Sequence, residues 1–190
     1  MKREFLKTVT LGIVAALCLE PSTASAWLLT ETHPDAIYHK ETKAAAIALI
    51  EQLVAVINSW LVSERDDKTL ELPSSDVLRG ISSTFNDLSQ KDDSIKTNLN
   101  FSGELKEYAA QESERLSIKM PMTYADVFQI TSTSTMELAE QIDSMRNVNF
   151  GPKTSTDIQK RAAFGRLGNR MFRLVEIANL LALMLQFPAS

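Results

Sequence analysis

Four residues near the start of the chain have the types that bind metal: His33, Asp35, His39 and Glu41, which include both histidines of the sequence. On a helix, Asp35 and His39 would stand one turn apart, and such a pair can hold zinc if other ligands join it. No third ligand is placed by a motif, so the group reads as a solvated turn at the start of a helix. Nucleophilic hydrolysis is poorly provided for: there is no Gly-x-Ser-x-Gly, and two histidines leave little choice of general base. Glu104, Glu107, Glu112 and Glu114 line one region, which formally allows carboxylate chemistry, but acidic residues on a helix usually form its wet face. Gly165-Arg166-Leu167-Gly168 lacks the lysine and the preceding strand of a phosphate loop. The two glycines lie three residues apart, which suits close helix approach better. The sequence therefore predicts a non-enzymatic protein, with no catalytic, cofactor-binding or metal-binding residues.

Two sets of residues are better suited to contact than to chemistry. Arg166, Arg170 and Arg173 share one face of the last helical segment, where they can serve as a bundle flank or meet an acidic partner or anionic lipid. Trp27, Leu28 and Leu29 form the second set. They can fold back over the protein or insert into a neighbouring subunit.

What must position these residues begins with an export segment. Lys2, Arg3 and Lys7 precede an uncharged run, residues 9–19, which Pro21 and the small residues Ala24, Ser25 and Ala26 follow. This is the three-part secretory pattern, and the run is too short for a stable bilayer span. The expected cleavage after Ala26 puts Trp27 at the new N-terminus and leaves 164 of the 190 residues as a single domain, without a transmembrane anchor. Cys18, the sole cysteine, leaves with the signal, and Leu17 before it does not fit a lipoprotein site. Losing Lys2, Arg3, Lys7, Glu4 and Glu20 takes the balance from 20 basic and 24 acidic residues to 17 and 22, a net charge of −5. That sign disfavours nucleic acid as a partner. Without a disulfide, the exported chain must be held by packing alone.

The rest of the chain reads as helices. Residues 35–65 contain no proline or glycine, and Ile47, Ile50, Val54, Ile57 and Leu61 recur at helical spacing, with Ala46, Leu53 and Trp60 beside them. Ser74 and Ser75 offer caps for a shorter helix carrying Val77, Leu78, Ile81, Phe85 and Leu88. A third helix is expected from near Ser102, closed by Met120-Pro121-Met122. Thr123 and Asp126 match a cap pattern ahead of Phe128, Thr131, Thr135, Leu138, Ile142 and Met145. Within that segment, residues 131–135 are all serine or threonine, poor helix material that predicts a kink or break. After a stop at residues 149–152 and a second cap pattern at 154–157, Phe164, Leu167, Met171, Leu174, Ala178, Leu181 and Leu185 keep a 3-4 spacing over three heptads, the lower bound for a coiled coil. Beyond Leu174 the segment is apolar nearly all round, as in a helix buried among several partners.

Strand signals are weak, so the expected fold is all-α: an elongated helical bundle with long N- and C-terminal helices, natural mates, and shorter helices between them. Signal segment, long terminal helices and smaller middle portion together resemble the layout of the minor pilus-tip proteins of type IV secretion machines. The resemblance lies in layout, and no residue roles are carried over from it. It implies an exported envelope protein acting through its surfaces in a secretion or conjugation machine, with an envelope protein or further copies of itself as partner. Such a protein should expose a contiguous apolar patch, expected at residues 27–29 or 180–187. The alternative is a periplasmic helical protein that binds a small ligand between its helices.

Overall fold

The computed structural model describes residues 34–66, 72–91, 104–120, 122–146 and 158–186. Among the described residues the chain is all helical, without strands: α1 (Pro34–Asp66), α2 (Ser75–Gln90), α3 (Glu104–Leu116), α4 (Tyr124–Arg146) and α5 (Ile158–Gln186). The signal-like segment, Trp27, Leu28, Leu29, His33 and the cap pattern at 154–157 lie outside the described residues.

Helix neighbours close into a ring: α1 packs on α2, α2 on α4, α4 on α5, and α5 back on α1. Polar contacts give the directions. Lys91, at the end of α2, pairs with Glu41 near the start of α1 at 2.8 Å, so these two run antiparallel. Along α2, Arg79, Ser82 and Ser89 meet Asp143, Ser132 and Gln129 of α4 in descending order, again antiparallel. Trp60, late in α1, stacks on Phe164, early in α5, with ring centroids 5.2 Å apart. The result is an up-down-up-down four-helix bundle. The inserted α3 packs on α5, where Arg115 pairs with Glu176. At 33 residues α1 is about 50 Å long, which makes the bundle elongated.

Local chemistry sets several boundaries. Ser74 caps α2, its side chain accepting from the Asp76 N–H at 3.3 Å. Thr123 and Asp126 form a reciprocal capping box: the Thr123 N–H donates to the Asp126 carboxylate at 2.8 Å, and the Asp126 N–H donates to Thr123 Oγ1 at 3.1 Å. The end of α3 is a Schellman turn, with Ile118 N–H reaching the Ser113 carbonyl and Ser117 N–H the Glu114 carbonyl. Ser117 takes the left-handed position at φ 58° that glycine ordinarily fills.

The expected α4 and α5 faces enter the core: Phe128, Thr131, Thr135, Leu138, Ile142, Met145, Leu167, Met171, Leu174, Ala178 and Leu181 are buried, and Phe164 is half-buried. Other expectations need correction. Residues 131–135 continue the helix without a break, because the hydroxyls of Thr131, Ser132, Thr133 and Thr135 are satisfied along or across it. Thr131 and Thr135 donate to carbonyls one turn back, at 2.6 and 2.7 Å. Ser132 donates to the Ser82 carbonyl at 2.8 Å while Ser82 donates to the Ser132 carbonyl at 2.9 Å, which lets α2 and α4 approach closely. On α2, Leu78, Ile81, Phe85 and Leu88 are buried, but Val77 is 48% exposed.

The largest correction concerns α1. Of the residues expected on or beside its buried face, Ala46, Ile50, Leu53 and Ile57 are buried, Val54, Trp60 and Leu61 are half-buried and packed on the core, and Ile47 is 37% exposed. The buried face is rotated from the expected stripe towards Leu53 and adds Leu49 and Val56. The helix is apolar nearly all round, so its periodicity supports more than one seam, and packing against α2 and α5 selects among them. At the α1–α5 crossing, an added Cβ on Gly168 would meet the Trp60 ring at 3.7 Å, an ordinary contact, and one on Gly165 would meet nothing within 4 Å. Close approach therefore does not require either glycine.

Candidate interaction surface

The arginine face of α5 is engaged within the protein through one of its three residues. Arg170 pairs with Glu137 of α4. Arg173 is exposed and stands near Glu176, which is itself paired with Arg115 of α3. Arg166 is exposed and makes no ion pair among the described residues. The three arginines thus form a bundle flank threaded with carboxylates rather than a uniform basic patch. Such surface pairs add little stability each, but they lower the field the face presents to an acidic partner.

Beside this flank is a polar cluster at the α3–α5 junction. Glu112 sits on the inner side of α3 with Ala109, Ser113 and Leu116, and only 6% of its side chain is exposed. Arg115 donates to Glu112 Oε1 at 2.9 Å through one nitrogen and to Glu176 through the other. Glu112 Oε2 is buried without a hydrogen-bond partner. Burial raises the Glu176 carboxyl above its ordinary range, opposed by Arg115 and reinforced by Glu112. Burial likewise pushes the Tyr108 phenol up, with Glu112 adding to the effect. Of the glutamates read as one wet face, Glu107 and Glu114 are exposed, whereas Glu112 belongs to the interior. Its place at the spacing of Ala109 and Leu116 was the available signal.

A groove of about 550 Å³ runs between α2 and α4, lined by Ser82, Ser83, Asn86, Ser132, Thr133, Met136, Glu137 and Glu140. The size suits a small ligand, but the lining is mostly hydroxyl, amide and carboxylate, whereas ligand sites are usually mostly apolar. Among the described residues no group of three His, Cys, Asp or Glu side chains could hold a metal. Glu41, one of the residues weighed as a ligand, is occupied by Lys91.

The least expected surface is the outer side of α1. Lys40, Ala44, Ile47, Glu51, Ala55 and Asn58 are exposed along it, with Val54 half-buried at its edge. Lys40–Leu61 is long and apolar enough to cross a membrane by length and composition, although 39% of its most apolar stretch is buried in the bundle; the core helix of a soluble protein passes the same test. The apolar patch expected at residues 180–187 is not found where it can be checked, because Leu180 and Leu181 are fully buried. No protein-family model, curated protein or solved structure matches the chain.

Proposed function

We propose that this protein is an exported, non-catalytic interaction or assembly component of a bacterial envelope, of the accessory or minor-pilus type used by secretion and conjugation machines. The observation that carries this reading is the outer face of α1, where Ala44, Ile47 and Ala55 meet solvent on a helix whose opposite side already fills the core. A mixed face that keeps Ala44, Ile47 and Ala55 among Lys40, Glu51 and Asn58 after the core is complete is suited to a partner. The sequence pattern of residues 1–26 supports export.

The test combines fractionation with in-cell crosslinking. A C-terminally tagged chain should be released by osmotic shock and begin at Trp27 on N-terminal sequencing, and a photocrosslinker at position 47 should give one discrete adduct. Retention in the cytoplasm with residues 1–26 intact, together with no adduct, would overturn the reading. The α2–α4 groove favours a second reading, a periplasmic binder of a small polar ligand. Under it, Ser132→Leu would abolish ligand-induced thermal stabilisation in a screen of polar metabolites while Ile47→Asp would not.

A further inference from the structure

We infer that the outer face of α1 is a self-complementary seam on which a second copy of this chain docks antiparallel. The inference rests on the interaction-protein reading above and names the partner of that surface.

Lys40, Ala44, Ile47, Glu51, Val54 and Asn58 follow one another at intervals of 4, 3, 4, 3 and 4 along the outer side of α1. That is the seam spacing of a coiled coil, here on the side of the helix facing away from the bundle core. The seam carries one charge of each sign, Lys40 and Glu51, both exposed and neither ion-paired among the described residues. Between them lie the apolar Ala44 and Ile47. A two-fold axis crossing α1 between residues 45 and 46 sets each Lys40 against Glu51 of the other copy and each Ala44 against the other Ile47. Every contact in this arrangement occurs twice, as an isologous interface requires. A parallel pairing in register would place Lys40 against Lys40 and Glu51 against Glu51, so charge selects the antiparallel arrangement.

Size sets the strength. In this register residues 34–57 of the two helices overlap, about 36 Å of helix. A strip about 10 Å wide gives roughly 360 Å² per copy, below the ~800 Å² of a standard stable interface. The dimer therefore belongs to the weak, transient class.

The experiment is sedimentation equilibrium on the full chain, purified as the cell processes it, over about 5–300 µM. The wild type is compared with Lys40→Glu, Glu51→Lys, the double exchange and Ile47→Asp, with circular dichroism to show that each is folded. Concentration-dependent dimerisation of the wild type is expected. Each single charge reversal should weaken it at least ~10-fold, the double exchange should restore it to within ~3-fold, and Ile47→Asp should abolish it. A wild type monomeric throughout the range overturns the inference, as does failure of the double exchange to recover. Cosedimentation of a monomeric wild type with anionic phosphatidylglycerol vesicles would assign the face to lipid and also overturn it. Failure of the dimer alone is distinguishable from failure of the functional reading. A monomer that still gives a position-47 adduct with another envelope protein loses only the dimer. A dimer retained in the cytoplasm with residues 1–26 intact loses only the functional reading.

Discussion

Replacing Glu112 by leucine should make the protein more stable, although it removes an ion pair. The carboxylate is 6% exposed, and one of its oxygens is buried with no partner. An unsatisfied buried acceptor costs about 1–3 kcal/mol, and more when charged. Its compensation is the bond from Arg115 at 2.9 Å, but that guanidinium is 56% exposed and regains water when released, so the pair contributes about 1 kcal/mol or less. A leucine of similar size at the same site, beside the buried Ala109 and Leu116, adds about 1–2 kcal/mol of apolar burial beyond the Glu112 methylenes that are already buried. The loss is smaller than either gain. Even with repacking strain of about 1 kcal/mol the balance favours leucine by roughly 1–3 kcal/mol, as when other buried ion pairs are replaced by apolar groups. For a chain of this size that is a rise in Tm of about 3–10 °C. Urea melts of the wild type, Glu112→Leu and Glu112→Gln at pH 7 measure it, with the m-value showing whether two-state behaviour is kept. If Glu112→Leu loses 1 kcal/mol or more at unchanged m, the reasoning is refuted, because Oε2 must then have a partner that favours the charge.

Ser117→Gly should stabilise the chain by about 0.5–1 kcal/mol in the same melts, since glycine occupies the left-handed position without the Cβ penalty. Two carboxyls should impose opposite pH dependences. The hydrogen bond from Ser75 and the ion pair with Arg79 lower the Asp143 carboxyl, so its contribution is present above its ordinary range and is lost as pH falls through the lowered value; Asp143→Asn should flatten that acid-side loss. Burial raises Glu176, beside Arg115, Glu112, Arg173 and Tyr108, so the folded state takes up its proton first and stability rises as pH falls from the raised value towards the ordinary one. Melting temperatures of Glu176→Gln and the wild type across pH 3–7 should diverge in that direction.

The readability of the sequence differed from helix to helix, and the reason is amphipathicity. On α4, apolar and hydroxyl residues at 3-4 spacing are set off by charged residues, so one face alone can enter a core, and Phe128 through Met145 do so. On α1 the apolar residues encircle the helix, and several rotations bury nearly the same area. Ile47 and Leu49 are equally apolar, yet one ends at 37% exposure and the other at zero. Two residues of the surface proposed to do the work, Ile47 and Val54, are therefore ones that periodicity assigned to the interior. The α5 arginines were correctly placed on one face, but the partner of Arg170, Glu137, comes from a different helix, which spacing within the arginine run does not reveal.

By itself the sequence determined what depends on neighbouring residues: helix content, the serine cap of α2, the capping box of α4, and the core stripes of α4 and α5. Those follow from backbone hydrogen bonding and side-chain spacing over a few turns, which are local. Only the tertiary structure decided which side of α1 faces inwards, that the serine- and threonine-rich stretch of α4 stays helical by exchanging hydrogen bonds with Ser82, and that Glu112 is buried against α5. Each of these outcomes depends on a partner about 50 or more residues away in the chain, or on a choice between rotations of nearly equal burial. Such choices are settled when the helices pack together, because close packing leaves room for one arrangement of side chains.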